Sequence, residues 1–258
     1  SAYENYILYF IPFISVQVKN IGYFAMGVLP PPMAFLFYSN RSVPSFMTAI
    51  PPKILRIDGS TRHSESVSRA LTDLAVATLQ EQFVVANVTQ RDTRSGIGNI
   101  SSAWRNASLT PNEARSSEDR AVLAQSEALI NEAAAADLLL IAVPIYNFSI
   151  PAALKSWIDL ICRDNVDGAR AHDLTGQSIN KQALIILTSN YTLANADDDF
   201  ATPYLKFIMK FIGIDSVTFI DATGLANDQP GILARAQEAV KAHCMDIASN
   251  WNKQTAAE

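Results

Sequence analysis

Downstream of residue 52 the apolar positions of the chain switch repeatedly between two periods, and the switches predict alternating strands and helices. Residues 53–58 (KILRID) form a short β-prone stretch that ends at Gly59. Residues 66–82 then carry Val67, Leu71, Leu74, Ala75, Thr78 and Leu79, largely three and four apart, which lays one apolar stripe along a helix. Residues 83–88 (FVVANV) read as a second strand. Residues 89–111 lose the periodicity. They are polar, hold Gly96, Gly98 and many Ser and Asn, and read as a loop too long for a mere connection. The Ala-rich residues 118–134 predict a helix, and 137–143 (DLLLIAV) are a continuous apolar run, the mark of a strand buried on both faces. Pro151 suits the first turn of the next helix, AALKSWIDLICR, where its missing N–H is not needed. Residues 182–188 (QALIILT) are a second apolar strand, 200–212 a helix closed by Gly213, 216–220 (SVTFI) a last strand, and 229–251 the closing helix.

Strands separated by helices, with continuous apolar strands in the middle, predict an α/β fold. The expected form is a doubly wound, five-stranded parallel sheet in the flavodoxin-like order 2-1-3-4-5, with helices on both faces. Ligands of such sheets bind beyond the carboxyl ends of the strands, where strand order reverses, here between the first and third strands. Two loops should meet there. The first, Gly59-Ser60-Thr61-Arg62-His63-Ser64-Glu65-Ser66-Val67-Ser68, is dense in hydroxyls and opens a helix. Helix N-terminal amides and hydroxyl donors together suit a monophosphate; the simpler alternative is that the hydroxyls only cap the helix. The loop has neither the Gly-Lys-Ser/Thr of a Walker loop nor a G-x-G-x-x-G fingerprint. The second, Pro144-Ile145-Tyr146-Asn147-Phe148-Ser149-Ile150-Pro151, ends an apolar strand in two aromatics and an amide between two prolines. Asn147 and nearby backbone amides can bond a heterocycle edge while Tyr146 and Phe148 offer flat apolar surface. The alternative is a turn whose aromatics pack inward.

Composition narrows the function classes. With 258 residues, 49% hydrophobic and 17% charged, the chain suits one well-packed domain of ordinary size and excludes an intrinsically disordered protein. A net charge of -5 argues against nucleic acid as a partner. Cys162 and Cys244 do not make a disulfide scaffold, so a reducing, cytoplasmic setting is expected. His63, His172 and His243 have no metal-ligand spacing, and no metal is expected. Residues 1–46 stand apart as an apolar N-terminal extension, charged only at Glu4, Lys19 and Arg41. Three readings fit it: an upstream translation or expression artefact with the natural start at Met47, an extension that docks on the globule or a partner, or a membrane anchor. Its apolar runs are interrupted by Lys19-Asn20 and by three prolines from Pro30, which disfavours a spanning helix of roughly 20 residues. Residues 47–258 are expected to be the ligand-binding domain.

The second loop, followed by Leu154-Lys155-x-Trp157-Ile158-Asp159, resembles the FMN-dependent NADH azoreductase and NAD(P)H:quinone oxidoreductase family, whose members are flavodoxin-like homodimers. Ser60 followed by Ser66-x-Ser68 is similar to the family's phosphate loop. Thr202-Pro203-Tyr204-Leu205 and Phe211-Ile212-Gly213-Ile214 are similar to a further family segment, and the resemblance runs from about residue 53 to 224. It implies that Ser60, Ser66, Val67 and Ser68 hold the FMN phosphate, and that Pro144, Ile145, Tyr146, Asn147 and Phe148 line the isoalloxazine. Tyr146 and Asn147 are the residues expected to orient and tune the reaction. The family's third flavin loop, Ser-Arg-Gly-Gly, falls on Ser189-Asn190-Tyr191-Thr192, where only the serine is kept. A family Phe-Arg-Tyr above the flavin reads Gly168-Ala169-Arg170 here, which removes an aromatic wall. The implied reaction is a ping-pong transfer of two electrons as hydride from NADH or NADPH to the flavin and then to a quinone or azo acceptor. The departures keep a second reading open, a flavin-binding carrier or sensor without NADH turnover, and a third in which the fold persists without flavin.

Overall fold

The structure, a computed structural model, describes residues 51–62, 64–83, 86–95, 97–163 and 181–255. The extension 1–46, His63, the Gly168-Ala169-Arg170 segment and His172 lie outside the described residues. Five strands, β1 (Lys53–Asp58), β2 (Asn87–Asp92), β3 (Leu138–Pro144), β4 (Gln182–Thr188) and β5 (Ser216–Ala222), pair in parallel in the order β2-β1-β3-β4-β5. Among the described residues six α-helices connect and close them: α1 (Val67–Gln82), α2 (Ser102–Leu109), α3 (Ser117–Ala135), α4 (Ala152–Ile161), α5 (Ala201–Phe211) and α6 (Leu225–Thr255).

The continuous apolar strands are central because both of their faces are covered. Leu139, Ile141 and Val143 of β3, with Ala183, Ile185 and Leu187 of β4, pack against α2, α3, α4 and α5. The alternate residues Leu138, Leu140, Leu184 and Ile186 pack against α1 and α6. Each fully buried leucine or isoleucine contributes roughly 1.5–3 kcal/mol, so this period-2 alternation fixes the register. Trp157 of α4 is fully buried in the first of these layers.

Two sequence expectations are corrected. The second strand is Asn87–Asp92, not 83–88; Phe83 instead ends α1, its N–H donating to Leu79 O at 3.1 Å, and its ring joins the core. The stretch 89–111 is not all loop: β2 occupies its start and α2 its end, with Ser101 capping α2 and Trp104 and Ala107 buried. The closing helix is interrupted at Asp228 (φ -155°, ψ 75°), whose carboxylate accepts from Gly231 N at 3.0 Å, so its long straight part starts close to the expected residue 229. Neither cysteine is in a disulfide; Cys162 is half-buried and Cys244 buried, and burial pushes the Cys244 thiol up to about 12. His243 sits in α6, and burial lowers its pKa. Among the described residues no helix is long and apolar enough to cross a membrane.

Candidate functional site

The strand order reverses between β1 and β3, and a cleft of about 740 Å³ opens at that edge. All thirteen residues singled out from the sequence line it: Ser60, Ser66, Val67 and Ser68; Pro144, Ile145, Tyr146, Asn147 and Phe148; Ser189, Asn190, Tyr191 and Thr192. Thr61, Arg62, Glu65, Thr188 and Leu225 line it as well. The first three lie inside the loop already singled out. Leu225 follows β5, and only the sheet order brings it in.

The first loop begins where β1 ends. Gly59 N donates to Ala142 O at 2.9 Å, which welds the loop's base to β3. Ser66 caps α1, accepting from Arg69 N at 3.4 Å, and its hydroxyl lies 3.2 Å from that of Ser68. Ser60 Oγ accepts from Arg62 N at 3.2 Å. Capping does not use up the loop: Ser66 orders the turn, Ser60, Ser66, Val67 and Ser68 line the cleft, and the first turn of α1 carries no acidic residue, as an anion site requires.

The second loop is a two-residue hairpin. Tyr146 N donates to Ser149 O at 2.9 Å and Ser149 N to Tyr146 O at 3.1 Å, with Asn147 (φ 46°) and Phe148 (φ 70°) between them. Two successive positive φ values define the primed turn that favours Asn-Gly. Asn147 suits its place, whereas Phe148 is strained by roughly 1–3 kcal/mol and its ring is 52% exposed. The aromatics are thus not packed inward. Phe200 N donates to Phe148 O at 2.9 Å and pins the hairpin to the start of α5. Tyr146 Oη lies 3.1 Å from Thr61 Oγ1 and joins the two loops. Burial alone would raise the Tyr146 phenol, but Thr61, Ser60 and the Arg62 charge together hold it below its ordinary value.

The third loop is held to the start of α6 by its own hydrogen bonds. The Ser189 hydroxyl donates to Thr192 O and accepts from Gly224 N at 3.2 Å, while Leu225 N and Ala226 N donate to the carbonyls of Ser189 and Asn190, both at 3.0 Å. The kept serine therefore ties its own loop together, and Tyr191, 79% exposed, lines the cleft. A second cavity of about 670 Å³ adjoins the first, sharing Thr61, Tyr146 and Asn147 and adding Ile150, Lys155 and Tyr204. Burial and the nearby Asp159 and Cys162 push Tyr204 up to about 12.

A hydroxyl-rich loop opening α1, a strained hairpin presenting aromatics and an amide, and a parallel sheet reversing at that point define a flavodoxin-like α/β protein. A family model described as a flavodoxin-like fold matches residues 52–244. The chain is 40% identical over 195 residues to FMN-dependent NADH:quinone oxidoreductase 1 of Hahella chejuensis, covering 74% of this chain and 94% of that protein. It is 39% identical over 192 residues to the protein of the same name from Colwellia psychrerythraea, covering 73% and 98%. Among solved structures, an FMN-dependent NADH-azoreductase from Bacillus anthracis in complex with FMN superposes with a TM-score of 0.65 at 21% identity, covering 76% of this chain and 99% of that one, a likeness of fold. The chain belongs to the flavodoxin-like family of FMN-dependent NADH:quinone oxidoreductases.

Proposed function

We propose that the chain is an FMN-dependent NAD(P)H:quinone oxidoreductase that also reduces azo compounds, working as a cytoplasmic homodimer. The observation that carries this reading is the cleft at the strand-order reversal, with a hydroxyl-rich cradle at one end and a strained aromatic hairpin at the other. The residues present fit a flavin mononucleotide. Ser60, Ser66, Ser68 and the first-turn amides of α1 would hold its phosphate. Ile145, Tyr146, Asn147 and Phe148 would hold its ring system. When bound, FMN supplies two-electron chemistry between a nicotinamide donor and a quinone or azo acceptor, with the donor leaving before the acceptor enters.

The protein's own contribution is placement. The Tyr146–Thr61 contact fixes the wall shared by the two cavities. Asn147 presents an amide from a backbone position that a β-branched residue could not occupy without strain. The adjoining chamber, lined by Ile150, Pro151, Tyr204 and Lys155, suits a flat, partly apolar acceptor with polar edges. Two cysteines outside any disulfide fit a reducing compartment.

The test is the absorbance spectrum of the protein reconstituted with FMN, before and after anaerobic NADH or NADPH. Flavin bands near ~450 nm that bleach on addition of the nicotinamide are expected. Bound flavin that stays oxidised with both donors would make the protein a carrier or sensor, and no bound flavin would sink the FMN reading.

The strain at Phe148 gives a prediction with two opposite signs. Phe148→Gly should raise the stability of the flavin-free protein by about 1 kcal/mol, because glycine adopts φ 70° freely. The same change should weaken FMN binding by about tenfold through loss of the aromatic surface. Thermal melts and flavin titration read the two effects separately; a variant that loses stability would show that Phe148 is held by packing rather than for the site.

A further inference from the structure

We propose that Arg69, on α1 beneath the cleft, is the positioning residue that aims the phosphate loop. The assignment rests on the reading that the cleft takes FMN. Arg69 is only 7% exposed and stands three residues past the Ser66 cap. A cation in the first turn opposes the positive end of the helix dipole, so helix formation alone does not favour it there. Its guanidinium holds three separate segments together. Nη1 pairs with Asp58 Oδ2 at the end of β1 at 3.1 Å. Nη2 donates to Asp92 Oδ1 at the end of β2 at 3.0 Å, and to the carbonyl of Ser60 in the loop itself at 2.8 Å.

Asp58 does not need Arg69 in order to be satisfied. It accepts from Arg56 Nε at 3.0 and 3.1 Å, from Gln90 Nε2 at 2.7 Å and from Thr72 Oγ1 at 3.5 Å. Among the described residues, Arg69 is the side chain that donates to Ser60 O. A trans peptide sets the carbonyl of one residue opposite the N–H of the next. Drawing Ser60 C=O down into the buried network therefore fixes the Thr61 N–H on the opposite side of that peptide, and Thr61 itself lines the cleft. Ser60 Oγ is tied in turn to Arg62 N. The guanidinium thus sets the Ser60–Thr61 peptide plane, and the Ser60 hydroxyl holds the next, without Arg69 itself lining the cleft.

FMN and riboflavin share the ring and ribityl chain and differ in the phosphate, so their affinity ratio isolates this end of the site. In the full chain freed of flavin, Arg69→Met should raise the FMN Kd by about tenfold or more while changing the riboflavin Kd by less than about twofold, as expected for loss of charge-assisted hydrogen bonds at one end only. Arg69→Lys, which keeps the charge but not the fork, should recover part of the FMN affinity. Equal weakening of both flavins, or an unchanged FMN Kd, overturns the assignment. If Arg69→Met does not give a cooperative melt, Arg69→Lys decides: a single ammonium cannot hold Ser60 O and both carboxylates at once, and a wild-type FMN-to-riboflavin ratio there overturns the proposal. A wild-type chain that binds neither flavin would overturn the FMN reading itself, whereas one that binds FMN with ratios unmoved by the variants overturns the Arg69 assignment alone.

Discussion

Gly59→Ala is expected to lower the FMN affinity by about 100-fold, the scale on which a misplacement of roughly 1 Å acts at a preorganised site. A Cβ at residue 59 would stand 2.6 Å from Ala142 O, a backbone atom that cannot move aside. That oxygen is also the acceptor of the Gly59 N–H at 2.9 Å, so opening the gap between β1 and β3 sacrifices the bond that seats the loop. Leu154, with Cδ2 at 3.4 Å and Cβ at 3.7 Å, closes the other side. The strain must therefore travel forward into Ser60 and the hydroxyl loop. Stability should fall by about 2 kcal/mol, in the range for overpacking a filled site, read as a lower urea midpoint with an unchanged slope. Wild-type flavin affinity in a folded Gly59→Ala protein would show that the loop is not seated by this glycine.

The site was readable where chemistry and sheet order coincide. Hydroxyls after the first strand, and aromatics with an amide after the third, could be placed at one point because continuous apolar runs such as 137–143 and 182–188 can only be central strands. The edge was harder. β2 is the polar NVTQRD, and its side chains are engaged in pairs that no local pattern shows: Gln90 with Asp58, Arg91 with Glu132, Asp92 with Arg69. The more apolar FVVANV upstream therefore looked like the better strand. α2 has little apolar signal beyond Trp104 and Ala107, and it forms because those two reach the core. In the hairpin, Asn147 hinted at positive φ but Phe148 argued against it, and strain of that kind is decided by the site rather than by propensity. The charged residues in KILRID gave no sign of their fate. Arg56 and Asp58 share a face of β1 at period 2, and only the helix packed over them shows that both are buried.

That buried pair carries the largest expected loss of stability. Asp58 is 0% exposed and gathers Arg56, Arg69, Gln90 and Thr72. Asp58→Ala would leave two guanidinium groups and an amide around an apolar stub, and removing one side of a buried ion pair costs about 3–5 kcal/mol. The lower end of that range is expected, because Arg69 keeps Asp92 at 3.0 Å and Arg56 keeps the largely exposed Asp73. Asp58→Asn should cost less, about 1–3 kcal/mol, since it retains one acceptor but turns a second donor toward Gln90 and the arginines. Urea unfolding of the two variants measures the difference; a loss under about 1 kcal/mol for Asp58→Ala would mean that water or rearranged partners replace the carboxylate. Flavin binding adds a second axis. Arg69 loses one partner in Asp58→Ala but retains both Asp92 and the Ser60 carbonyl, so the FMN-to-riboflavin affinity ratio of the folded fraction should move far less than it does in Arg69→Met. The two substitutions touch the same network, and their readouts separate the carboxylate that holds the network in the fold from the guanidinium that connects it to the cleft.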